Sequence, residues 1–152
     1  MDLLPRIVDA CTLENFCCVV STAGRSNFQP ASPDVYAEEY LPGSQAAALS
    51  SLVICNGGSA TAYQALAQGR PVLGICSNLD QVMTMQGIVS AGAGEFIHAS
   101  AATLPRLRET IRRMRSNDSF LHGARAVQAS FASCDVFKRF PKVVDAVAMP
   151  KS

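Results

Sequence analysis

In Asn56-Gly57-Gly58-Ser59-Ala60-Thr61-Ala62-Tyr63-Gln64, two glycines and two hydroxyls lie where an apolar run ends and a helical pattern begins. That combination suits a diphosphate. Glycines let the backbone come close to the ligand, while the open N–H groups and dipole at a helix start favour negative charge. The hydroxyls of Ser59 and Thr61 add donors. The same residues also spell an ordinary strand-to-helix turn with Ser59 as N-cap, and both readings stand at this level. A second polar segment, Ser77-Asn78-Leu79-Asp80-Gln81, follows another apolar run. Asp80 and Gln81 have the acceptors and donors that sugar hydroxyls need, although Asp80 also fits an N-cap or first-turn acid.

Apolar strands alternating with amphipathic helices position these segments. Phe16 to Thr22 is a continuous apolar run, the signature of a strand buried on both faces. A Gly-, Ser-, Asn- and Pro-rich loop follows from Gly24 to Asp34, then a short strand Val35 to Tyr40 and the turn Leu41-Pro42-Gly43. Helix Gln45 to Leu49 and strand Leu52 to Cys55 come next. The pattern repeats as helix Ser59 to Gln68, strand Pro71 to Cys76, helix Gln81 to Ala91 and strand Gly94 to His98. This succession predicts an α/β fold, doubly wound around a mostly parallel sheet. In such sheets ligands bind beyond the carboxyl ends of the strands, where both polar segments fall.

Beyond Ala99 the pattern is helical. Leu104, Leu107, Ile111 and Met114 form one stripe, and Phe120, Ala124, Val127 and Phe131 a second. Phe137, Phe140, Val144 and Val147 form a third, from Val136 to Met149, in which Pro141 is expected to start or kink the helix. The expected organisation is a single Rossmann-like domain over 1–152, with a helical lead-in at 1–15, a βα core at 16–100 and C-terminal helices at 101–150. Arg108, Arg112 and Arg115 share a face away from the Leu104 stripe and read as a solvated helix flank.

Composition narrows the function classes. The chain has 152 residues, 49% hydrophobic and 16% charged, with a net charge of +1. That balance offers no overall field for nucleic acid or an anionic membrane. Of the six cysteines, Cys17, Cys18, Cys55 and Cys76 lie in apolar runs and read as small core residues in a reducing compartment. No Cys-x-x-Cys pair occurs, and His98 and His122 lack metal-ligand spacing, so no metal site is expected. With no basic leader and no apolar stretch near ~20 residues, the expectation is a soluble, cytoplasmic protein without a transmembrane segment.

From about Tyr40 to about Arg125 the chain resembles the carboxyl-terminal half of UDP-glycosyltransferases of the two-Rossmann-domain (GT-B) type, such as the bacterial macrolide and flavonoid glycosyltransferases. The resemblance is carried by Asn56-Gly57-Gly58-Ser59, by Ala65-Leu66-Ala67-Gln68-Gly69-Arg70-Pro71, by Asp80-Gln81 and by Ala91-Gly92-Ala93-Gly94. It implies a domain that binds a UDP- or TDP-sugar as donor substrate for inverting transfer to an acceptor hydroxyl, with no separate cofactor. It further implies that Gly57, Gly58, Ser59 and Thr61 hold the diphosphate, Asp80 and Gln81 the sugar, Gln64 the ribose, and Tyr40 the base, unless Tyr40 is a packing residue. The chain departs from the family at Asn56, Ala60 and Gln64, where His, Gly and Glu are usual. Asn56 still donates to a phosphate oxygen but carries no positive charge. In the resembling enzymes the acceptor pocket and the catalytic base lie in an amino-terminal half, so no catalytic residue is assigned here and the expected partner is such a domain or a separate acceptor subunit. A non-catalytic donor-binding or scaffold subunit and a sugar-nucleotide epimerase fragment remain the alternatives.

Overall fold

The computed structural model describes residues 3–134 and 136–148. In chain order the elements are α1 (Leu4–Leu13), β1 (Cys18–Ser21), β2 (Val35–Glu38), α2 (Gly43–Leu49), β3 (Val53–Cys55), α3 (Ser59–Ala67), β4 (Val72–Cys76), α4 (Leu79–Ser90), β5 (Gly94–His98), α5 (Leu104–Ser116), α6 (Ser119–Ser133) and α7 (Val136–Ala148). A 3-10 turn at Ala99–Ala101 separates β5 from α5. All strand pairing is parallel. β4 lies between β3 and β5, with Cys55 opposite Gly74 and Cys76 opposite His98.

β4 is the centre of the fold because all five of its residues are buried. Leu73 and Ile75 point into one core layer, with Ile97, Leu107, Ile111 and Met114 and, from α1, Ala10 and Cys11. Val72 and Cys76 point into the other, with Ala62, Ala65 and Leu66 of α3, Met85 and Ile88 of α4, and Ala124 of α6. Helices therefore cover both faces, as a β4 that is apolar at every position demands. The fold is Rossmann-like α/β.

The parallel strands form two sheets rather than the expected one. Among the described residues β1 pairs with β2 alone, Cys18 opposite Val35, while β3, β4 and β5 form the second sheet. The Phe16–Thr22 run is accordingly not buried on both faces. Val20 faces α1 and packs with Val8 and Val35, whereas Val19 on the other face is 60% exposed. Cys17 is exposed ahead of β1, and of the four apolar-run cysteines only Cys76 is buried. Hydropathy alone puts Cys17 in the core, but the residue precedes the paired part of the strand and sits outside the covered face.

Two C-terminal expectations are met only in part. Pro141 lies inside α7 and does not start it, and Phe140, Val144 and Val147 of its stripe are exposed. Met149 and the side chain of Phe137 lie outside the described residues. The arginine face of α5 is exposed at Arg112 and Arg115, as a solvated flank would be, but it also docks on the end of α1. Arg108 Nε donates to Glu14 Oε1 at 2.8 Å, and Arg112 donates to both carboxylate oxygens, at 3.0 and 2.8 Å. Arg115 donates to the Glu14 carbonyl at 2.6 Å and stacks 5.1 Å over the Phe16 ring. Glu14, only 8% exposed, is thus tied to three cations that the helical pattern alone turns toward water.

Candidate functional site

The turn after β3 takes its shape from Gly57. Its φ of +80° is a backbone conformation that costs an L side chain, and a Cβ there would lie 2.7 Å from Cys76 Sγ and 3.0 Å from Met85 Cγ. The Gly57 N–H donates to Cys55 Sγ at 3.3 Å. The turn is therefore pressed onto the core between β3 and β4. A Cβ on Gly57 would also lie 3.5 Å from Gln81 Cβ, so the β3–α3 turn and the first turn of α4 are in contact.

Gly58, not Ser59, is the N-cap of α3, with φ −71° and ψ 145° and no capping side chain. Its own N–H is taken by Asn56 Oδ1 at 3.0 Å, which leaves the Asn56 amide NH2 as that side chain's free donor. The N–H groups of Ser59, Ala60 and Thr61 have no acceptor within the helix, and the first intrahelical bond runs from Ala62 N to Gly58 O. All three residues are exposed, and so are the hydroxyls of Ser59 and Thr61. Gln64, one turn further on, lies with its amide against the Cα of Gly43 at the start of α2.

The second segment is built in the same way. Asn78, rather than Asp80, caps α4, accepting from Gln81 N at 3.0 Å. Gln81 Oε1 accepts from Ser77 N at 2.7 Å and from Ser77 Oγ at 3.1 Å, so its NH2 group is the free end. Asp80 is exposed in the first turn and accepts no hydrogen bond from another described residue. Capping thus consumes Asn78 and half of Gln81, and leaves the Asp80 carboxylate open.

Tyr40 follows β2 and is 72% exposed, which removes the packing reading. Its hydroxyl lies near Gly24, beside a hollow of about 380 Å³ lined by Thr22, Gly24, Asn27, Gln29, Glu38 and Glu39 at the carboxyl ends of β1 and β2. Glycine and asparagine in the 24–34 loop are the only sequence signals for that hollow. The contact between the two turns sets Asn56, Gly57, Gly58, Ser59 and Thr61 beside the start of α4 with Asp80 and Gln81, while Gln64 lies one helical turn further along α3 and Tyr40 beside the hollow after β2. His98 is exposed, its Nδ1 2.7 Å from Ser100 Oγ, and His122 is exposed on α6.

Burial raises the thiol pKa values of Cys55 and Cys76, so the two sulfurs under the turn stay neutral. Among the described residues no group of three His, Cys, Asp or Glu converges as metal ligands, and no helix is long and apolar enough to cross a membrane.

The family model described as the glycosyltransferase family 28 C-terminal domain matches residues 4–139. The chain belongs to this family. Among its relatives, a PGL/p-HBAD biosynthesis glycosyltransferase of Mycobacterium tuberculosis is 35% identical over 127 residues, 84% of this chain and 29% of that protein. A PGL/p-HBAD biosynthesis rhamnosyltransferase of Mycobacterium bovis is 33% identical over 130 residues, 86% of this chain and 29% of that protein. The family 28 domain thus spans under a third of the length of these curated relatives. Spinosyn forosaminyltransferase SpnP superposes with a TM-score of 0.81 at 19% identity, over 94% of this chain and 38% of that one. Spinosyn rhamnosyltransferase SpnG, solved with thymidine diphosphate, gives 0.77 at 24% identity, over 86% and 36%. At these identities the two structures attest the fold.

Proposed function

We propose that this family 28 domain binds the donor of a glycosyl transfer, a UDP- or TDP-linked sugar that serves as substrate with no separate cofactor. The observation that carries the reading is the contact between the Gly57 turn and the first turn of α4, which sets an open helix start beside a free carboxylate and a free amide. The first-turn N–H groups of α3 and the hydroxyls of Ser59 and Thr61 hold the diphosphate, with Asn56 Nδ2 as a further donor. Asp80 accepts from, and Gln81 donates to, the sugar hydroxyls. Tyr40 offers its exposed ring to the base, and Gln64 its amide to the ribose.

In the transfer, the acceptor oxygen attacks the anomeric carbon while the bond to the diphosphate oxygen breaks, so negative charge grows on the leaving group. Fixed N–H donors at the start of α3 stabilise that charge without reorganisation and without a metal. The base that takes the acceptor proton, and the acceptor site itself, belong to a separate domain or subunit. The whole works in the cytoplasm, where its six free cysteines stay reduced.

Calorimetric titration with UDP and TDP, with GDP as comparator, tests the reading. Saturable binding of UDP or TDP that Gly58→Val removes is the expected result, because a side chain at Gly58 presses on the Asn56 side chain, whose Oδ1 lies 3.1 Å from the Cβ position, and adds bulk at the N-cap of α3. Asp80→Ala is expected to weaken the nucleotide sugar and leave the bare diphosphate unchanged. No binding by any of the three nucleotides overturns the proposal.

A further inference from the structure

Two cysteines meet where α1 turns back into β1. The Phe16 N–H donates to the Cys11 carbonyl at 3.0 Å, so the strand returns along the helix and residues late in α1 stand over residues early in β1. Val8 and Cys11 lie one turn apart on the buried face of α1. Cys18 and Val20 alternate onto one face of β1. Val8 packs with Val20, which leaves Cys11 over Cys18, and both cysteines border the same apolar layer. The Cys11 thiol donates to the Cys18 sulfur. Cys11 is buried and Cys18 only half-buried, so solvent reaches the pair from the Cys18 side. The pair sits at the amino end of β1, away from the hollow at its carboxyl end, and neither sulfur belongs to the candidate site.

We propose that Cys11 and Cys18 form a reversible redox site, in which a peroxide oxidises Cys18 and Cys11 then closes a disulfide that fastens the end of α1 to β1. Cys18 is the sulfur attacked first, because it is the accessible one and because the hydrogen bond from Cys11 favours its thiolate over the opposing effect of burial. The thiolate takes one oxygen from hydrogen peroxide and becomes a sulfenic acid, and the other oxygen leaves as hydroxide and is protonated to water. The Cys11 thiol is held neutral by its hydrogen bond to Cys18, by burial and by the charge of the Cys18 thiolate. Once Cys18 is a neutral sulfenic acid, that charge is gone and the hydrogen bond to a thiolate with it. Cys11 sulfur then bonds to Cys18 sulfur, and the sulfenic oxygen departs as water with the Cys11 proton. The sum is two thiols and one peroxide giving one disulfide and two waters, and a dithiol reductant reverses it. The cross-link ties β1 to a helix end that Arg108, Arg112 and Arg115 already hold through Glu14. The proposal stands whether or not the domain binds a nucleotide sugar.

Peptide mapping of the full chain after exposure to hydrogen peroxide tests it. Remaining thiols are blocked, the chain is cleaved after Glu14, which separates Cys11 from Cys17 and Cys18, and the fragments are weighed without reduction. The expected result is that the two fragments stay joined with the loss of two hydrogens and part on addition of dithiothreitol. Cys17→Ser is expected to keep the link and Cys18→Ser to abolish it, with circular dichroism reporting that each variant is folded. The linked chain is expected to melt about 5–10 °C higher than the reduced one, a rise that Cys18→Ser does not show. Unlinked fragments overturn the proposal, as does a bond between Cys17 and Cys18 within one fragment. A link that survives in Cys18→Ser makes Cys17 the partner and overturns the assignment. A linked chain that melts no higher overturns the fastening of α1 to β1.

Discussion

Adjacent glycines with different surroundings make the sharpest test of how the turn after β3 is built. Gly57→Ala forces a side chain into φ +80°, at about 1–2 kcal/mol, and drives its Cβ to within 2.7 Å of Cys76 Sγ and 3.0 Å of Met85 Cγ. Overpacking of that kind costs about 1–3 kcal/mol, so the total is about 2–5 kcal/mol. Gly58→Ala keeps an ordinary extended conformation, and its Cβ meets only the Asn56 side chain, at 3.1 Å. It loses mainly the N-cap preference of glycine, about 1 kcal/mol. Each substitution stiffens the unfolded chain equally, so that effect cancels in the comparison. Urea unfolding followed by circular dichroism, with m-values checked for constancy, reads the difference. Gly57→Ala is expected to be the less stable by more than about 1 kcal/mol. Equal midpoints would refute the claim that the turn is wedged against the core.

The remaining predictions concern the core, the helix ends and pH. Met85→Ala is expected to cost about 2–5 kcal/mol in urea unfolding. Because a Cβ on Gly74 would lie 2.6 Å from Met85 Cγ, Gly74→Ala is expected to cost less in the Met85→Ala background than alone, which a double-mutant cycle measures. Asn78→Ala removes the cap of α4 and is expected to cost about 1 kcal/mol while leaving bare-diphosphate binding intact, checked by unfolding and titration together. Hydrogen bonds from Arg112 and then Arg108 hold the Glu14 carboxyl below the usual carboxylate range. A lowered folded pKa contributes stability above the unfolded value, about 4.3, that is lost as pH falls. Stability is therefore expected to drop more steeply below about pH 5 in the parent than in Glu14→Gln, and parallel pH profiles would refute the pairing.

The central part of the fold is legible in the sequence because its signals are local. Continuous apolar runs punctuated by glycine mark β3, β4 and β5 to within a residue, and Gly94–His98 has the same bounds in sequence pattern and structure. The Gly57-Gly58 pair and Asp80-Gln81 stand out for the same reason. What stays hidden is non-local. Nothing in Phe16–Thr22 shows that among the described residues β1 pairs with β2 alone, and nothing in Arg108, Arg112 and Arg115 shows that a glutamate some hundred positions earlier lies beneath them. At the candidate site, residue types are readable but their engagements are not. Asn56 and Gln81 each spend one amide atom within their own loop, and the caps fall one residue before Ser59 and two before Asp80.

Because Gly57 rests directly on Cys76 and Met85, the turn has no layer of its own between its outer side and the core. Substitutions at those two buried positions move the backbone that faces solvent, and substitutions at the turn strain the interior. Variation in this part of the domain is thus confined: a change that retunes the turn without disturbing folding has to enter through the exposed side chains, Asn56, Ser59, Thr61 and Asp80, rather than through the main chain that carries them.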